Sequence, residues 1–212
     1  MTAADSRRVT LVKQIDLSAA FDCVDHDILL ERSWVSFGVD NIVLRWIRCY
    51  LSDRTQQIAN DGQLSALQPV PLRLPTGTGS VLGPLLYVLY TAELHQLVER
   101  HGVNLHQYAD DCQLYLSTPV SGAAAAVSVL STCLNDVNAW LSRSRLRLNA
   151  TKTHVMWLGA CQLPDKIDIC AVPVISARVT VSDTVRDLGV ILDGRLTMAD
   201  HVAAVCRSCY YQ

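Results

Sequence analysis

The chain changes its apolar rhythm several times, and each change predicts an element. Val9 to Leu17 is rich in β-branched and aliphatic residues and reads as a strand, running into the acidic segment Asp16-Leu17-Ser18-Ala19-Ala20-Phe21-Asp22. From Asp27 to Phe37 the spacing becomes helical, with Ile28, Leu29, Arg32 and Val35 on one side and Gly38 as the stop. Asn41 to Leu51 predicts a second helix with Ile42, Trp46, Ile47 and Tyr50 facing inward. Thr55 to Ala59 and Ser65 to Val70 flank Asn60-Asp61-Gly62, which is turn chemistry between two short strands. A glycine-bearing loop, Pro75 to Ser80, leads into a helix expected from Pro84 to about Glu99. Leu105 to Ala109 and Cys112 to Ser117 are short strands joined at Asp110-Asp111. Ala123 to Ser144 sets Val127, Leu130, Leu134, Val137 and Leu141 at three- and four-residue intervals, an amphipathic helix packed on a sheet. Val155 to Leu158, Val179 to Val181 and Leu188 to Leu192 add strands, and Met198 to Tyr211 is helical.

Strands and helices alternate without an internal repeat or a dinucleotide-type glycine loop, which predicts an α/β sandwich with helices on one sheet face. No linker or low-complexity run interrupts the 212 residues, so one domain is expected. Half of the residues are hydrophobic, enough for a substantial core. The apolar stretch Val81 to Ala92 falls short of the roughly 18 to 20 residues of a membrane span. No membrane helix and no signal segment are expected, and the location expected is intracellular, in cytoplasm or nucleus. The eight cysteines then read as reduced thiols. Cys206 and Cys209 have metal-like spacing, which suits either half of a zinc site or two ordinary helical thiols. The formal charge of −2 excludes the strongly basic class of nucleic-acid binders and implies a weak grip on a phosphate backbone.

Asp16 ends one strand and Asp110-Asp111 interrupts another, about ninety residues later. If those strands are neighbours, three carboxylates converge. Such a group repels itself and is stabilised by divalent cations, with hard oxygen ligands favouring Mg²⁺ or Mn²⁺. Two ions about 3.5 to 4 Å apart serve phosphoryl and nucleotidyl transfer. The same residues also suit plainer roles, Asp110-Asp111 as a hairpin turn and Asp16 as a helix cap.

Five segments in order resemble the reverse transcriptases of non-LTR retrotransposons. Asp16 to Asp22 with Val24-Asp25-His26 is similar to the first palm motif, and Ser80-Val81-Leu82-Gly83-Pro84 to the end of the second. Tyr108-Ala109-Asp110-Asp111 is similar to the third, and Leu148 to Thr153 to the fourth. Leu188 to Asp193 resembles the region that follows. The resemblance implies a polymerase palm of α+β class, a mostly antiparallel sheet backed by helices. Its core would span about 9–193, with partial fingers, little or no thumb, and a thumb-connecting region over about 194–212. It implies two Mg²⁺ ions, with Mn²⁺ as the alternative, held by Asp16, Asp110, Asp111 and the backbone carbonyl of Leu17. RNA template, DNA primer and deoxynucleoside triphosphate would be the partners. Phe21 would exclude a ribose 2′-hydroxyl, Lys152 would donate a proton to pyrophosphate, and Thr78, Gly79 and Ser80 would lie on the substrate.

This sequence departs from that family's pattern at defined places. The second motif usually reads Gly-Val-Pro-Gln-Gly-Ser, whereas here Pro75-Thr76-Gly77-Thr78-Gly79-Ser80 stands, with Thr78 in place of the positioning glutamine. Lys13 and Gln14 put polar atoms into a strand expected to be buried, at a cost of about 1 to 3 kcal/mol each if unpartnered. Three functions therefore compete: an RNA-directed DNA polymerase domain, a catalytically silent retrotransposon remnant, and an interaction module with exposed apolar surfaces.

Overall fold

A computed structural model describes residues 8–18, 20–70, 72–74, 81–160 and 162–210. In chain order the main elements are β1 (Arg8–Ser18), α1 (His26–Val35), α2 (Asn41–Leu51), α3 (Leu82–Thr91), α4 (Glu93–Glu99), β2 (Asn104–Tyr108), β3 (Asp111–Pro119) and α5 (Ala123–Arg143). They are followed by β4 (Arg147–Gly159), β5 (Ala171–Val174), β6 (Ala177–Thr180), β7 (Thr184–Asp187), β8 (Val190–Asp193) and α6 (Ala199–Tyr210). The chain divides into two compact units. One comprises Met1–Asp16, His95–Asn138 and Leu148–Gln212, the other Leu17–Leu94 and Ala139–Arg147.

The first unit is built on a four-stranded sheet in the order β2-β3-β1-β4. β1 pairs antiparallel with β3 from Arg8↔Pro119 to Ile15↔Cys112, and β3 pairs antiparallel with β2. Side chains alternate across a strand. Val9, Leu11, Lys13 and Ile15 are buried on one face of β1, while Thr10, Val12, Gln14 and Asp16 share the other and are half-buried. Val155 of β4 and Cys112 and Leu114 of β3 are wholly buried, as are Leu130, Cys133, Leu134 and Val137 of α5. The hairpins β5/β6 and β7/β8 are antiparallel, and α6 packs on β8.

In the second unit α1 packs on α2 and α3. Asp25 starts α1, its carboxylate accepting from the amides of Asp27 and Ile28 at 3.0 and 3.1 Å. Arg32 lies over the rings of Tyr90 and Trp140, donates to the Tyr90 carbonyl at 2.6 Å and the Ser144 hydroxyl at 2.8 Å, and pairs with Glu93 at 3.2 Å. One charged side chain thereby ties α1 to α3 and to the segment after α5.

The expected elements are present, with corrections. The single helix expected from Pro84 to Glu99 is two, α3 and α4, and the break at Ala92 follows the carbonyl that Arg32 takes. The inward face of α1 is Leu29, Leu30 and Ser33, while Val35 is 69% exposed. In α2 only Ile47 and Leu51 are buried, and Ile42 and Trp46 stand exposed because the apolar stripe is wider than the surface it covers. Leu188, expected to begin a strand, lies in the β7–β8 turn with φ 45°. The segment Val120–Arg143 is long and apolar enough to cross a membrane, with mean hydropathy 1.3. The sequence reading overlooked it. Its apolar stripe is that of a core helix, since Leu130, Leu134, Val137 and Leu141 are fully buried.

Lys13 and Gln14 do enter the interior. The Lys13 side chain is wholly buried, its ammonium donates to the Pro173 carbonyl at 3.2 Å, and burial pulls its pKa from 10.5 down to about 8. Gln14 donates from Nε2 to Asp187, and its buried Oε1 has no hydrogen-bond partner among the described residues.

Candidate active site

Antiparallel pairing brings the acidic strand ends together. The β2–β3 hairpin closes with Tyr108 opposite Asp111, leaving Ala109 and Asp110 as a two-residue turn. Ala109 has φ 54°, a left-handed backbone that costs an L-residue about 1 to 2 kcal/mol. The Gln107 amide holds this turn by donating to the Ala109 carbonyl at 2.9 Å. Across the sheet, Ile15 pairs with Cys112, so Asp16 and Asp111 are the next facing positions. Burial raises the Asp111 pKa above the ordinary carboxylate range, and the charges of Asp110, Asp16 and Asp187 raise it further. Lys152 of β4 lies 3.6 Å from the Asp16 carboxylate and offsets part of that negative charge.

Asp187 was not anticipated. It closes β7 opposite Val190 and accepts from Gln14 Nε2 at 3.1 Å. The available signal was an acid immediately before Leu188-Gly189, a pair whose positive φ values make the turn. Among the described residues no group of three His, Cys, Asp or Glu side chains has the spacing to hold a metal ion. The aspartates converge without closing into such a group.

Leu17, the next residue of β1, buries its side chain. Phe21 lies in the short turn Ala20–Cys23, its ring 4.5 Å from that of Tyr87, and its carbonyl accepts from Leu74 at 2.9 Å. Thr78, Gly79 and Ser80 lie outside the described residues. Cys206 and Cys209 are exposed thiols of α6.

A family model described as reverse transcriptase (RNA-dependent DNA polymerase) matches residues 1–192. The chain belongs to the reverse transcriptase family. Its similarity to a probable RNA-directed DNA polymerase from transposon BS of Drosophila melanogaster is 30% identity, over 99% of this chain and 23% of that protein. The RNA-directed DNA polymerase from mobile element jockey of the same organism is 25% identical over 97% of this chain and 22% of its own length. The chain thus spans under a quarter of the length of these relatives. Among solved structures, apo telomerase from Candida tropicalis truncated from its C-terminal domain has a TM-score of 0.58 at 13% identity. The likeness covers 89% of this chain and 35% of that one, and it is one of fold. The antiparallel sheet with helices agrees with the palm architecture that the motifs imply for a reverse transcriptase.

Proposed function

We propose that this reverse transcriptase domain is the palm of an RNA-directed DNA polymerase, joining a deoxynucleotide to a primer 3′-hydroxyl on an RNA template. The observation that carries this reading is the antiparallel pairing of β1 with β3 up to Ile15 opposite Cys112, after which Asp16 and Asp111 are the next positions, with Asp110 in the adjoining turn. The donor chemistry suits divalent cations, because it offers hard carboxylate oxygens, and burial together with the charges of Asp110, Asp16 and Asp187 raises the Asp111 pKa. Two such ions, Mg²⁺ or alternatively Mn²⁺, supply activation of the 3′-hydroxyl and neutralisation of phosphate charge when bound. Asp16, Asp110 and Asp111, with the Leu17 carbonyl, are the groups that would hold them.

The transfer forms a bond between the primer 3′-oxygen and the α-phosphorus and releases pyrophosphate. Lys152, already paired with Asp16, is the proposed proton donor to that leaving group. Phe21 is proposed to select deoxynucleotides by shape, and Thr78, Gly79 and Ser80 to position template and nucleotide. The proposed location is cytoplasm or nucleus.

The unpartnered Oε1 of Gln14 and the buried ammonium of Lys13 favour a second reading, a catalytically silent remnant. Both weaken the strand that carries Asp16. A nucleotide-selection assay separates the readings. The purified chain extending a DNA primer on RNA with deoxynucleotides, and its Phe21→Val variant admitting ribonucleotides, supports the polymerase. A folded chain that incorporates neither nucleotide supports the remnant.

A further inference from the structure

Phe21 and Tyr87 make a ring pair whose second member has no part in the proposed chemistry so far. Phe21 is half-buried in the turn Ala20–Cys23, where its backbone carbonyl is held by the Leu74 amide at 2.9 Å. Tyr87 stands on the inward face of α3, which it shares with Gly83, Leu86, Tyr90 and Thr91, and is wholly buried. The ring centroids are 4.5 Å apart and the planes tilt by 32°, at the close end of the range in which aromatic pairs attract. α3 is itself pinned three residues further on. Arg32 donates to the Tyr90 carbonyl at 2.6 Å, and the Tyr90 hydroxyl donates to the Ser144 carbonyl at 2.6 Å. A side chain that selects by shape rejects a hydroxyl only as firmly as it is itself held, because a ring free to shift slightly makes room for the extra oxygen. A fully buried ring in a close-packed interior does not yield in that way.

We propose that Tyr87 is a positioning residue for nucleotide selection: its buried ring backs that of Phe21 and keeps it from giving way to a ribose 2′-hydroxyl. The proposal deepens the polymerase reading and rests on the role given there to Phe21.

The test is incorporation by the full chain of a deoxynucleotide against the matching ribonucleotide, compared as the ratio of their kcat/KM values. Partial unfolding lowers both values alike and cancels in that ratio. Tyr87→Leu keeps an apolar side chain and removes the ring, and the preference for the deoxynucleotide should fall about three- to tenfold, as the loss of one aromatic pair implies. Tyr87→Phe keeps the ring and should stay within about twofold of the parent. In a chain already carrying Phe21→Val, Tyr87→Leu should change the ratio by less than about twofold, since the two residues act through one contact. A second readout needs no activity. The chain has two phenylalanines, Phe21 and Phe37, so labelling with fluorophenylalanine gives two fluorine resonances. Tyr87→Leu should move that of Phe21 and leave that of Phe37, which is 44% exposed, in place. Tyr87→Met, which fills more of the space without a ring, replaces the leucine variant if that one does not fold. A ratio in Tyr87→Leu equal to the parent's, where Phe21→Val lowers it, overturns the inference alone, as does a Phe21 resonance that stays where it was. A ratio indifferent to Phe21→Val removes Phe21 from selection and Tyr87 with it. A parent chain that incorporates neither nucleotide overturns the polymerase reading and the inference together.

Discussion

Replacing Lys13 by methionine should stabilise the protein at neutral pH. The ammonium is wholly buried and its pKa falls from 10.5 to about 8, chiefly by desolvation. A displacement of that size corresponds to about 3 kcal/mol of destabilisation while the group is charged. Methionine has a similar length and no charge, and Pro173 O keeps an acceptor's role through the Ser131 hydroxyl at 3.3 Å. Allowing for the lost hydrogen bond, of about 1 kcal/mol, the net gain should be about 2 kcal/mol at pH 7, and Tm should rise by about 5 °C. The pH dependence gives a second check. Between pH 8 and 10.5 the unfolded chain holds the Lys13 proton and the folded chain does not, so this group's contribution to stability rises with pH. Below pH 8, where both states are protonated, the full destabilisation persists and does not vary with pH. Cys112 and Cys133, pushed up by burial to about 12 and about 11, act in the opposite direction above their usual 9. The quantity to follow is therefore the difference between parent and variant. Urea unfolding followed by circular dichroism at pH 7, 8.5 and 10 should show the advantage of Lys13→Met shrinking as pH rises. A variant less stable than the parent at pH 7, or an advantage that does not change with pH, refutes the reasoning.

Asp25→Ala should cost about 1 to 2 kcal/mol, chiefly because it removes the α1 cap, with a smaller part from the pair to the exposed Arg145 at 2.7 Å; Asp25→Asn should recover roughly half in the same urea titration. A loss below about 0.5 kcal/mol would mean the cap is replaceable by water. Ala109→Gly relieves left-handed strain worth about 1 kcal/mol and adds somewhat less unfolded-state entropy, for a net gain of about 0.5 kcal/mol. A clear fall in the urea midpoint would show that Ala109 is not strained. Thr78→Gln should raise the rate of nucleotide addition at least about tenfold if positioning limits it, measured by single-turnover extension; an unchanged rate would remove positioning as the limit.

The strands and the presence of an acidic hairpin were legible because each is a local matter of alternation and turn chemistry, but the turn falls at Ala109-Asp110 rather than Asp110-Asp111, and Asp111 opens β3. That Asp16 and Asp111 stand on neighbouring strands needed only the assumption that β1 and β3 pair, and the register supplies that adjacency. Asp187 was not legible, since its relation to Gln14 depends on a hairpin folding back across 173 residues. The inward faces of α1 and α2 were misread for a related reason. Hydrophobic periodicity tells which side of a helix is apolar, and how much of that side a neighbour covers is a tertiary matter. Val35, Ile42 and Trp46 belong to the expected apolar stripes yet remain exposed. Lys13 shows the converse: its burial was expected from its place in the strand, but the carbonyl of Pro173 that receives it was not.

The most direct test of the central claim is primer extension on an RNA template at low salt with Mg²⁺ or Mn²⁺, comparing the chain with its Asp110→Ala variant. The account predicts template-directed extension by the parent and its loss in the variant. Extension that survives Asp110→Ala, or a folded parent that extends nothing with either ion, would contradict it.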